Sequence, residues 1–185
     1  MEETTDWKIL ESRYVIETPH LRLRRDSIEL PSGTRIDEYY VRETAGFAIV
    51  FALTPRDEIV LVRQYKHGIG EGVLELPAGA IEPGESPTAC AVRELAEETG
   101  YVGSPEQPEF VSAFISDPTN SNGRFYLYLV RNAQLRHAQR LDPTEEITVE
   151  LATFDDVRRF VRNGEINVGP NVAAIYFMLD RLGKL

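Results

Sequence analysis

Between Gly79 and Tyr101 the chain reads GAIEPGESPTACAVRELAEETGY, which places Glu82, Glu85, Glu94, Glu97 and Glu98 within one short stretch. Ser86-Pro87 supplies a capping hydroxyl followed by proline at the first helical position, and Gly100 supplies a stop, so the spacing predicts a helix over 87–99. At about 100° per residue, Glu94, Glu97 and Glu98 share one narrow face, with Cys90 and Ala91 a turn earlier. Val92, Leu95, Ala96 and Thr99 then form the opposite, apolar side. Such a helix can set its apolar side on a sheet and turn three carboxylates toward a cleft or solvent. Like charges one turn apart repel, so whatever receives that face must offset the repulsion.

Around this helix the pattern is mixed. Residues 7–17, 21–30 and 35–43 alternate in strand fashion, with Pro31-Ser32-Gly33 as punctuation, and predict antiparallel strands. The apolar run 45–53 predicts a buried strand, and 58–65 its hairpin partner across the turn Thr54-Pro55-Arg56-Asp57. Residues 66–72, KHGIGEG, are expected to be a loop: the glycines match no dinucleotide fingerprint, because no helix pattern follows. Strands are expected at 73–77, 109–115, 124–130 and 147–152, and helices at 154–163 and 171–182. Without a regular βαβ alternation, the expected fold class is α+β, a mixed sheet core flanked by helices with an N-terminal antiparallel strand region.

Composition narrows the function. The 185 residues suffice for one ordinary domain with a small addition, and 20 Lys plus Arg against 30 Asp plus Glu leave a formal charge of −10. That balance disfavours a nucleic acid polymer or an anionic membrane as partner, but allows an anionic small molecule met through a local pocket or a bound cation. The opening MEETTDWKIL lacks the basic start and apolar run of a secretory signal, and no apolar stretch approaches a membrane span. Cys90 is the only cysteine, so no intrachain disulfide forms, and a cytoplasmic location is expected. Cys90 itself reads as a small packed thiol. The histidines His20, His67 and His137 have no metal-ligand spacing, and no G-x-S-x-G context supports a covalent nucleophile.

The order Gly79, Glu85, Arg93-Glu94-Leu95, Glu97-Glu98, Gly100 gives G-x5-E-x7-R-E-L-x-E-E-x-G, which resembles the signature of the Nudix hydrolases, with Tyr101 where an aliphatic residue is usual. The surrounding LVRQYKHGIGEGVLELPAGAIEPGES resembles the ADP-ribose pyrophosphatase and nucleoside-diphosphate-sugar hydrolase branch, and the likeness runs from about residue 7 to the C-terminal helix. The resemblance implies Glu94 and Glu98 as direct metal ligands, Glu97 as a further ligand or base, and the carbonyl of Ala78 as another ligand. Arg93 and Glu85 are implied as an orienting ion pair. An all-oxygen set suits a hard cation, Mg²⁺ or Mn²⁺, that would in turn hold diphosphate oxygens.

Further positions follow by the same likeness. Lys66 stands where a basic residue of this branch contacts the substrate diphosphate, and Glu145, with Glu146 beside it, where an acidic loop carries another catalytic glutamate; Pro143 occupies a place some relatives give to a second one. In SDPTNSNGR, Asn122 replaces the glutamate expected in strict ADP-ribose pyrophosphatases, which implies a wider range of nucleoside diphosphate sugars. Residues 1–43 look suited to exchange between two subunits, leaving 44–185 as the Nudix domain and a homodimer as the assembly. The implied reaction is metal-dependent hydrolysis of a nucleotide sugar to a nucleoside monophosphate and a sugar phosphate. A non-catalytic Nudix module that binds a nucleotide sugar, and a pyrophosphohydrolase of oxidised nucleoside triphosphates, are the alternatives.

Overall fold

The computed structural model describes residues 6–104 and 108–185, which fall into two compact units. The first takes in the chain up to Ala45 together with Ile115–Arg124. Its strands β1 (Lys8–Glu17), β2 (Arg22–Glu29) and β3 (Arg35–Glu43) form an antiparallel sheet in that order. Gly33, at φ 83°, closes the turn between β2 and β3, a left-handed conformation that glycine adopts without strain. The buried carboxylate of Asp26 accepts from Ser12 at 2.6 Å and from Arg24 at 2.9 Å. Along β3 the excursion after Ile115 forms a single parallel bridge, Ser121 with Arg42. The Arg42 N–H donates to the Asn120 carbonyl at 2.8 Å, and the Asn120 side chain donates to the Tyr40 carbonyl at 3.0 Å. These bonds occupy a sheet edge that would otherwise be open.

The second unit holds β4 (Phe47–Ala52), β5 (Ile59–Lys66), β6 (Glu71–Glu75), β7 (Ala78–Ala80), α1 (Pro87–Thr99), β8 (Tyr101–Val102), β9 (Glu109–Ile115) as far as Phe114, β10 (Arg124–Val130) from Phe125 onward, β11 (Gln134–Leu135), β12 (Ile147–Ala152), α2 (Phe154–Arg162) and α3 (Gly169–Arg181). One sheet has the order β7-β4-β10-β9, with β4 and β10 parallel and β7 antiparallel to β4. A second has the antiparallel order β12-β5-β6, and β8 pairs with β11. The class is α+β, as expected.

The apolar run of β4 is continuous because both its faces are buried. Ile49, Phe51 and Leu53 pack with Leu61, Leu127, Ile175 and Met178, while Ala48, Val50 and Ala52 pack with Cys90, Ala91 and Leu95 of α1. The second contact is made largely of small side chains, so α1 can lie close to β4.

That packing corrects the expected orientation of α1. The buried side is Cys90, Ala91, Glu94, Leu95, Glu98 and Thr99: Leu95 and Thr99 of the expected apolar face do turn inward, but Glu94 and Glu98 join them at only 8% and 3% exposed, whereas Val92 is 46% exposed. Small residues at 90 and 91 rotate the carboxylates inward. The expected loop over 66–72 is also shorter: β5 reaches Lys66 and β6 starts at Glu71, with Lys66 opposite Glu71 in the ladder. The helices expected at 154–163 and 171–182 are α2 and α3, displaced by one or two residues. Among the described residues no helix is long and apolar enough to cross a membrane.

Candidate active site

Local rules place the site. The Ser86 hydroxyl accepts from the Ala89 N–H at 3.1 Å, Pro87 opens the helix, and Gly100 ends it at φ 73° with its N–H donating to the Ala96 carbonyl. Each glycine bounding the segment also marks a close approach. A Cβ on Gly79 would overlap the Glu94 carboxylate, and one on Gly100 would overlap the carbonyl of His137. Gly79 therefore lets a carboxylate lie against the backbone of β7, and Gly100 lets residues 136–147 cross the end of the helix. That crossing strap is fastened to helix carbonyls. Arg140 N–H donates to the Glu97 carbonyl at 2.9 Å, the Gln139 amide donates to the Glu98 carbonyl at 2.6 Å, and Arg136 N–H donates to the Gly100 carbonyl at 3.0 Å. Gln139 also donates to the Ile147 carbonyl at 3.1 Å, tying the strap to the start of β12.

Arg93 is the hub of the carboxylates. Its Nε and Nη2 each donate to a Glu85 oxygen at 2.9 Å, a bidentate pair, and Nη2 also donates to the Ala80 carbonyl at 3.1 Å. Nη1 donates to Glu94 at 2.6 Å and to Glu97 at 3.4 Å. Glu85 in turn accepts from the Glu82 N–H at 3.0 Å. The guanidinium beside it, helped by that N–H, holds the Glu85 carboxyl down at about 2, and the carboxylates hold Arg93 protonated well above its ordinary range.

Glu94 and Glu98 sit deeper. Burial raises the Glu94 carboxyl, with Arg93 opposing the rise. Burial pushes Glu98 up to about 8; its Oε2 accepts from the Ala78 N–H at 3.0 Å, which favours the ionised form, while the charge of Glu94 opposes it. The charges of Lys66 and Glu145 also reach Glu98, the first favouring its ionised form and the second the neutral one. Glu145 lies on the exposed turn 142–145, where its side chain accepts from the Asp142 N–H at 3.1 Å. Thus Ala78, Glu85, Arg93, Glu94, Glu97 and Glu98 come together in space, with Lys66 and Glu145 within electrostatic reach. Asn122 belongs to the other unit, where its Oδ1 accepts from the Thr44 N–H at 2.9 Å.

Among the described residues no three His, Cys, Asp or Glu side chains converge closely enough to hold a cation, because Glu94 is drawn to Arg93 and Glu98 to the Ala78 N–H. The donor set nevertheless fits a hard divalent cation. It consists of carboxylate and backbone oxygens, two of its carboxylates are buried where ionisation is disfavoured, and the absent Cβ of Gly79 makes room for that of Glu94. Sequence reasoning passed over Glu75, Asn171 and Gln139. Each is a single polar residue outside the 79–101 segment, and each has at least one partner far away along the chain, Glu98 for Gln139 and Glu75 with Asn171 for each other.

An α+β fold that sets a loop, a capped helix and an Arg-centred group of glutamates beside a buried strand is the architecture of a Nudix protein. The NUDIX domain family matches residues 43–171, and the nucleoside diphosphate sugar hydrolase N-terminal domain matches residues 7–41. The chain belongs to the Nudix hydrolase family. It is 29% identical over 172 residues to a methanol dehydrogenase activator of Bacillus methanolicus, covering 92% of this chain and 91% of that one. It is 28% identical over 154 residues to an ADP-ribose pyrophosphatase of Bacillus subtilis, covering 83% and 82%. In fold it matches a solved ADP compounds hydrolase with TM-score 0.83 at 20% identity, over 97% of each chain. The family resemblance drawn from the 79–101 segment is thereby borne out. Nudix hydrolases generally use divalent metal ions.

Proposed function

We propose that the protein is a divalent-cation-dependent pyrophosphohydrolase that cleaves the diphosphate of ADP-ribose or a related nucleoside diphosphate sugar, releasing a nucleoside monophosphate and a sugar phosphate. The observation that carries this reading is the pair of buried carboxylates, Glu94 and Glu98, packed against the 78–79 backbone and organised by Arg93. Relatives that bear pyrophosphatase names support the substrate class.

In this reading Glu94, Glu98 and the Ala78 carbonyl hold Mg²⁺, with Mn²⁺ as a substitute, and Glu97 is a further ligand. When bound, the cation supplies Lewis-acid polarisation of the diphosphate and a lowered pKa for water. The chain's own groups do the rest. Arg93, anchored by Glu85, keeps the glutamates oriented; Lys66 binds a diphosphate oxygen; Glu97 or Glu145 accepts the proton of the attacking water. Asn122 is a substrate-binding residue that supplies no fixed charge. Residues 1–43 act as the exchanged region of a homodimer, 44–185 as the Nudix domain, and the protein works in the cytoplasm, a setting consistent with its single cysteine.

A second reading comes from the Bacillus methanolicus relative, whose name describes activation of a dehydrogenase. The complete glutamate set favours hydrolysis. A panel of ADP-ribose, other nucleotide sugars, dinucleoside polyphosphates and nucleoside triphosphates, run with Mg²⁺ and with Mn²⁺, tests both. Nucleoside monophosphate and sugar phosphate in equal amounts are expected. Release of inorganic pyrophosphate from triphosphates alone, or no turnover at all, contradicts the proposal.

A further inference from the structure

The first turn of α3 puts Asn171 inside the protein, 2% exposed, and both ends of its amide are used. Oδ1 accepts from the Leu76 N–H at 2.8 Å, and Nδ2 donates to Glu75 Oε1 at 3.2 Å. Glu75, at the end of β6, is 6% exposed, and its Oε2 accepts from Gln64 Nε2 at 3.3 Å and pairs with Lys66 Nζ at 3.3 Å. Three elements, β5, β6 and α3, thus meet at one buried carboxylate. Burying a charge in this way contributes little net stability compared with apolar packing of the same volume. What the network does provide is a defined position for each member.

Two of those members lead to the candidate active site. The Leu76 amide lies directly before Pro77-Ala78-Gly79, the backbone against which Glu94 and Glu98 pack. Lys66 carries a charge that reaches Glu98, on a stem of four rotatable carbons that would otherwise sample many directions. Holding that ammonium before a ligand arrives lowers the ordering cost of binding. We propose that Glu75 and Asn171 are positioning residues of the active site: α3 fixes Glu75 through Asn171, Glu75 aims the Lys66 ammonium at the substrate diphosphate, and the same Asn171 sets the turn that carries Ala78. The substrate part of this inference rests on the diphosphate role proposed for Lys66.

Glu75→Gln keeps the side-chain volume and an acceptor for Asn171 but weakens the hold on Lys66. On the proposed reading, KM for ADP-ribose rises about tenfold with a smaller change in kcat. In a Lys66→Met background the same substitution changes kcat/KM less than about twofold, since the group it positions is gone. A purely structural role would instead give equal losses in both backgrounds, and that result overturns the proposal. Trace labelling with acetic anhydride reads the position of Lys66 without any turnover, because the only other lysines are Lys8 and Lys184. Glu75→Gln and Asn171→Leu, which removes the amide that fixes Glu75 without adding a charge, should each raise labelling of Lys66 at least about threefold relative to Lys8 and Lys184, as a released ammonium stem would. Unchanged labelling in folded Glu75→Gln overturns the positioning. If the wild type hydrolyses no nucleotide sugar, the functional reading fails by itself, and the labelling result still decides what holds Lys66.

Discussion

Ionising Glu98 works against folding when no cation is bound. Burial pushes its carboxyl up to about 8, whereas in the unfolded chain it titrates near the usual glutamate value of about 4.3. Between those values the folded protein binds the proton more tightly than the unfolded one, so stability falls as pH rises through that window. Each factor of ten in the proton affinity corresponds to about 1.4 kcal/mol, which makes the decline on the order of a few kcal/mol. Thermal melts at about pH 5 and pH 8 should show this decline in the cation-free wild type and not in Glu98→Gln. Parallel behaviour of the two proteins would mean that Glu98 ionises freely. Glu85 has the opposite sign: with its carboxyl held down at about 2 by Arg93, its stabilising effect is complete above the unfolded value and lost as pH falls toward 2. Glu85→Gln should flatten that acid limb and, by releasing Arg93, lower turnover by about tenfold. At Asn122 the expected outcome is breadth: no single nucleotide sugar should exceed all others by more than about a thousandfold, a gap of roughly 4 kcal/mol in transition-state binding. A larger preference in the hydrolysis panel would contradict the reading of that loop.

At the scale of elements, α1 was legible to the residue because its end signals are local: a Ser-Pro start and a glycine stop. Strand β10 was equally legible from its apolar run and β12 from apolar residues alternating with polar ones. The short strands β7, β8 and β11 were not, since two or three residues are too few for a period to show. Nor was the buried face of α1. Periodicity groups the glutamates correctly, but which face turns inward depends on the size of Cys90 and Ala91 against Ala48 and Ala52 of β4, a tertiary fact. The strap 136–147 was invisible for the same reason, although Glu145 on it was singled out. Gly100→Ala tests the strap: it forces a side chain into a left-handed site and against the His137 carbonyl. A loss of about 1–3 kcal/mol in denaturant melts is expected, together with weaker turnover as Glu145 shifts. Unchanged stability would show that the strap yields without cost.

For the molecule as a whole, the formal charge of −10 and the buried glutamates describe one requirement: a cation that allows an acidic protein to receive an anionic substrate. The proposed homodimer is checked by light scattering, where a single species near twice 20.9 kDa is expected and a monomer would remove the exchange of residues 1–43. The central claim, that the α1 carboxylates form a cation site for hydrolysis, is tested most directly by ADP-ribose turnover and Mg²⁺-dependent melting of wild type and Glu98→Gln measured side by side. The wild type should gain thermal stability from Mg²⁺ and release nucleoside monophosphate, whereas the variant should stay folded, gain little from the cation and lose about a hundredfold or more in kcat/KM. A folded Glu98→Gln protein with near-normal turnover and an undiminished response to Mg²⁺ would contradict the account.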